Sequence, residues 1–157
     1  MKDDLSGIVI DTDTVWDIEG SYDLTGILRA LPSLVPADWT LYFEGTVISD
    51  KVSALLERFS AEHKTDVYPG TVAPKPKRYH VAFRPELIES LIPLSESLAE
   101  PEVCDHFLVY RGERVLLSGY DFGSIPLVLS GAISEQAVQD FTSQIGCTYR
   151  LRTATEA

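Results

Sequence analysis

Prolines and glycines cut this chain into short pieces, and that limits its fold more than any other feature. Nine prolines and ten glycines stand among 157 residues. A proline lacks the backbone donor and fixes φ, so neither an inner strand nor an unkinked helix runs through it. The result is many short elements packed together. No apolar run approaches the ~18 residues of a membrane-spanning helix. With 45% apolar and 24% charged residues, the chain has the composition of a globular protein. A domain of this length buries roughly 68–70% of its unfolded surface, enough for a core without disulfide staples.

Periodicity predicts the elements between the breaks. Ile8-Val9-Ile10 is a short strand or an apolar tether. Leu24, Ile27, Leu28 and Leu31 recur at helical spacing, and Pro32 and Pro36 end that helix. The aromatic run from Trp39 to Gly45 predicts a strand. Val52, Leu55, Leu56 and Phe59 form the stripe of a helix that Ser49 or Asp50 caps. Residues 65–80 carry Pro69-Gly70, Pro74 and Pro76 and predict a loop. Pro85 starts a helix whose buried side is Leu87, Ile88, Leu91, Leu94 and Leu98, with a kink or split at Pro93.

Cys104–Tyr110 and Val115–Tyr120 predict a hairpin across Gly112-Glu113, with a type II′ turn. Ile125–Leu129 predicts a third strand of this group, with Pro126 at its start or on an edge. Ser134 caps a last helix, which Gly146 ends, and Cys147–Leu151 adds a final strand. The expected order is α-β-α-α-β-β-β-α-β in a single α+β domain over residues 1–152. Its sheet is largely antiparallel and meandering, its helices are grouped on one face, and residues 153–157 form a loose tail.

The charge is strongly negative and uneven. The net charge is -11, with 24 acids against 13 Lys and Arg. Asp3, Asp4, Asp11, Asp13, Asp17, Glu19 and Asp23 stand near the start against Lys2 alone. From Pro85 to Tyr110 there is no Lys or Arg. The one basic stretch holds Lys75, Lys77, Arg78, His80 and Arg84, and its expected place is over acids of the same molecule. An acidic field disfavours nucleic acid and anionic membranes and speeds encounter with a basic protein. The start of the chain has no basic-then-apolar leader, so the expected location is cytoplasmic. Cys104 and Cys147 are too few for a disulfide framework and are expected as reduced, buried thiols.

Two surfaces are candidates for binding. Asp11, Asp13, Trp16, Asp17 and Glu19 put an aromatic among acids. There Trp16 either anchors in a partner's pocket or pins the segment to its own core. Tyr120, Asp121 and Phe122 form an aromatic–acid–aromatic tip between strands. That tip is either a recognition loop or a turn in which Asp121 caps the backbone and Phe122 tucks inward. Cys104-Asp105-His106 would set Cys104 and His106 on one side of a strand, roughly 7 Å apart, wide for a shared metal. A buried histidine donating to a neighbour is the expectation there. No catalytic set, metal site or cofactor is expected.

Two resemblances add to this reading. Ile8-Val9-Ile10-Asp11-Thr12-Asp13-Thr14-Val15 resembles the first motif of the haloacid dehalogenase-like phosphatases. It implies an aspartate nucleophile and general acid beside Mg²⁺ in a doubly wound parallel sheet. The downstream acidic pair of that family is missing. Gly70–Pro76, Cys104–Arg111 and Leu127–Ser130 resemble small acidic bacterial proteins of the toxin-immunity type. The function expected is therefore a non-enzymatic protein, monomeric or weakly dimeric, that docks or neutralises a basic protein. The alternative is a small metal-dependent hydrolase using Asp11 and Asp13.

Overall fold

The aromatic run feeds two layers at once. In Thr40–Gly45 (β2) successive side chains point to opposite sides, and residues 41–45 are all buried. Leu41 and Phe43 enter one apolar core, and Tyr42 enters a second. The computed structural model describes residues 7–36, 38–71, 73–121 and 126–153.

The other strands are Thr14–Glu19 (β1), Lys77–Ala82 (β3), His106–Arg111 (β4), Arg114–Gly119 (β5), Val128–Ser130 (β6) and Thr148–Thr153 (β7). They form one seven-stranded sheet in the order β3-β2-β4-β5-β6-β1-β7. Every adjacent pair is antiparallel. The helices are Leu24–Ala30 (α1), Asp50–Arg58 (α2), Pro85–Ser97 (α3) and Glu135–Ile145 (α4). This is an α+β fold. All four helices contribute to one core, on the side of the sheet with Trp16, Phe43, Phe107 and Leu117. The smaller core on the opposite side contains no helical residue: Ile10 and Val67 close over Tyr42, Leu108, Tyr110 and Val115.

Local signals account for much of this. Ser49 and Ser134 accept backbone N–H bonds from Val52 and Ala137, as their helices require. Gly146 ends α4 in the left-handed conformation, at φ 71°. Gly112 has φ 58° and Arg111 pairs with Arg114, the two-residue connection expected. No helix among the described residues is long and apolar enough to cross a membrane.

Four expectations need correction. Residues 14–19, where periodicity predicts no element, form β1, an inner strand whose Asp17 lies between β6 and β7. The end of the predicted loop is β3, which starts directly after Pro76 and occupies one end of the sheet. There no second sheet strand needs the donors that prolines lack. Pro93 does not split α3, because it sits on the exposed side, where water can take the carbonyl it leaves unbonded. β7 runs on to Thr153, which the tail was expected to include.

Candidate functional site

The sheet face away from the helices holds the most concentrated polar chemistry in the described residues. Register brings it together: Glu44 on β2 lies opposite Arg78 on β3 and His106 on β4. An acid thus stands between a guanidinium and an imidazole in one cross-strand row. Glu44 is fully buried, and a buried carboxylate needs its lone pairs filled. Gly70 and Thr71 donate their backbone N–H groups to its Oε2, at 2.9 and 2.8 Å. The Tyr42 hydroxyl donates to Oε1 and accepts from Arg78 Nε at 2.7 Å. Burial and Glu44 push the Tyr42 hydroxyl well above its ordinary pKa, so it stays a donor.

The same groups strap residues 65–71 across the sheet. Arg78 also donates to the Val67 carbonyl, and the Tyr120 hydroxyl donates to the Tyr68 carbonyl at 2.7 Å. Thr65 donates its N–H to the Tyr110 hydroxyl at 3.1 Å. Gly70 packs so tightly on His106 that a methyl group there would lie 2.5 Å from the ring. Only glycine leaves room for that approach.

His106 has a defined tautomer. Its Nδ1 accepts from Asp121 N–H at 2.9 Å, so the ring proton sits on Nε2, which donates to Thr71 Oγ1 at 2.8 Å. An imidazole held this way cannot take a proton from Thr71. The pair is therefore a clamp, not a nucleophile with its base. Asp121 adopts φ 46°, and its carboxylate Oδ1 lies 3.9 Å from Nδ1. Cys104 and His106 do not share a side: Cys104 is in the helix-side core, before β4 begins. Burial pushes its thiol well above the ordinary range.

His80 gives a pH test of this face. Its Nδ1 faces the Tyr110 hydroxyl at 2.7 Å. Burial, then Arg78 and Lys64, lower its pKa from 6.5 to about 4. The unfolded chain therefore takes up the extra proton first, and stability falls as pH drops from about 6.5 to about 4. Allowing for screening of this partly exposed ring, the loss is about 1–2 kcal/mol. Urea titrations across that window should show it in the wild type and not in His80→Gln.

The acids near the start separate into two groups. Asp17 is nearly buried, and Arg152 grips it through Nε at 2.7 Å and through a second nitrogen at 3.2 Å. Arg150 lies 3.8 Å from Asp17 and 3.4 Å from Glu19. These two acids are answered within the molecule, by β7 and not by the 75–84 strip. Trp16 is only 8% exposed: its indole N–H donates to the Ile133 carbonyl at 3.0 Å and its ring meets Tyr149 edge-on. Asp11 and Asp13 are exposed, and Asp13 N–H donates to Asp11 Oδ1 at 3.0 Å. Asp17→Asn should therefore cost about 1–3 kcal/mol of stability, the worth of charged hydrogen bonds. Asp13→Asn should leave the denaturation midpoint unchanged.

Tyr120 is half-buried, with its hydroxyl pushed up to about 12, mainly by burial. Asp121 is exposed, and Phe122 lies outside the described residues. No group of three or more His, Cys, Asp or Glu suited to a metal exists among the described residues. Asp11 and Asp13 lie between Ile8, which bridges Val67 in parallel, and β1, whose two neighbours run antiparallel.

Sequence reasoning missed the Glu44–Arg78–His106 row, because it exists only through the pairing of distant strands. The signal that was available is Tyr42-Phe43-Glu44, an acid at an inward position of an aromatic strand. Hollows open elsewhere among the described residues. One, of about 780 Å³, mixes Arg84 and Arg111 with Glu62 and Glu86. Another, of about 580 Å³, is bordered by Val9 and Asp11. No family model matches the chain, and no curated protein or solved structure matches it significantly.

Proposed function

We propose that this chain is a non-enzymatic binding protein that docks a basic protein, in the manner of a cytoplasmic immunity protein neutralising a toxin. The observation that carries the reading is the surplus of exposed acid that enters no ion pair among the described residues. Asp11 and Asp13 meet no Lys or Arg within 4 Å, nor do Glu86 and Glu89 on the outer side of α3, among the described residues. Such a field accelerates encounter with a positive surface and repels a negative one. The Glu44–Arg78–His106 row supports the same reading: each of its three members bonds the 65–71 strap. The resemblance of residues 70–76, 104–111 and 127–130 to proteins of the immunity type points the same way.

The test is capture from a native lysate at low salt, followed by binding measurements on the purified partner. The reading expects one dominant basic protein whose affinity falls steeply as salt rises, since exposed charges are screened beyond ~8 Å at physiological ionic strength. A partner held equally well at high salt contradicts it.

A further inference from the structure

The hollow beside Asp11 has the composition of a receptor for that partner. Val9, Trp39, Leu116 and Ile133 form its apolar walls, and its volume is about 580 Å³. That size lies within the usual range of binding pockets, roughly 300–1,000 Å³, and accommodates inserted side chains. Val9 is 52% exposed, an unusual position for an aliphatic side chain on an acidic segment. Asp11 and Glu113 stand at the rim, with Arg114 the only base in the lining among the described residues.

The segment that brings Val9 and Asp11 here is fixed in place. Ile8 donates to the Asp66 carbonyl at 2.8 Å and accepts from Tyr68 N–H at 3.0 Å, so the segment is tied to the 65–71 strap. Gly7 makes that approach possible: a methyl group on it would lie 2.4 Å from the strap's backbone. Side chains alternate along the segment, so Ile8 and Ile10 turn toward the sheet while Val9 and Asp11 turn outward. A preformed wall of this kind spares a partner the entropy of ordering it. The Trp39 indole N–H, in the same lining, is buried without an acceptor among the described residues.

The geometry points to this hollow as the docking site for a cationic loop of a protein partner. One apolar or aromatic side chain enters between Val9 and Leu116, and flanking Lys or Arg side chains meet Asp11 and Glu113. The inference rests on the basic-partner reading and adds the place where contact is made. Charge chooses the partner's sign, and the apolar walls choose what it inserts.

The test uses two capped peptides as probes, Lys-Phe-Lys-Lys and Lys-Ala-Lys-Lys, titrated into the full chain and followed by amide NMR. The expected result is a set of shifts at Val9, Asp11, Leu116 and Ile133 that is larger for the Phe peptide and shrinks with salt. Ala132→Trp, at an exposed lining position, should weaken the Phe peptide about tenfold and leave the Ala peptide unaffected. Shifts confined to the Glu86 and Glu89 side of α3 overturn the hollow and leave the basic-partner reading standing. Binding of neither peptide at any site, together with failure to capture a basic protein, overturns both. Equal effects of Ala132→Trp on the two peptides also overturn the hollow, since the apolar contact would then contribute nothing.

Discussion

Replacing Glu44 with alanine is expected to lower the unfolding free energy by about 3–5 kcal/mol, the cost of leaving several donors without their buried charged acceptor. The loss has identifiable parts. Gly70 and Thr71 would keep two backbone donors aimed at an empty site, and the Tyr42 hydroxyl would lose its acceptor. Arg78 would keep its charge with the nearest carboxylate, 3.7 Å away, removed. For a domain of ordinary stability, about 5–15 kcal/mol, this is a large fraction of the total. Urea denaturation reads the global cost, and amide exchange reads the local one. Gly70, Thr71 and Asp121 should lose protection before the helices do. Glu44→Gln keeps one acceptor oxygen and should cost less. A Glu44→Ala protein as stable as wild type would mean that the row is not what holds the strap.

Trp16→Ala should also cost about 3–5 kcal/mol, as expected for a large aromatic truncated in a core. The ring closes the helix-side core and contacts Tyr149 at a centroid distance of 5.6 Å. Its N–H also secures the Ile133 carbonyl, so truncation loosens one wall of the hollow beside Asp11. A small stability loss accompanied by complete loss of partner binding would instead make Trp16 a direct anchor.

These two residues mark where the sequence was legible and where it was not. Elements set by neighbours a few residues apart were readable: the caps Ser49 and Ser134, the stop at Gly146, the Gly112 turn and the stripe of α2. β1 was hidden because Asp17 breaks the apolar pattern of an inner strand. The arginines that permit an acid there, Arg150 and Arg152, lie more than a hundred residues away. β3 was hidden because its prolines read as a loop, although they stop one residue short of the strand. For the same reason an acidic run at the start looked like a single patch. Pairing divides it into Asp17 and Glu19, which are neutralised, and Asp11 and Asp13, which are not. Glu44 carried only the signal of an acid within an aromatic strand, and nothing local named its partners, since Arg78 and His106 come from other strands and Gly70 from a loop.

The most direct measurement is the association rate of the purified chain with the basic protein it captures, at low and at physiological salt. It should be made for wild type and for Asp11→Lys with Asp13→Lys. The account predicts a wild-type rate that falls at least about tenfold with added salt, as for steered encounters. It also predicts a double variant that melts like wild type but associates slowly at both salt concentrations. A rate indifferent to salt and to the two substitutions would contradict it.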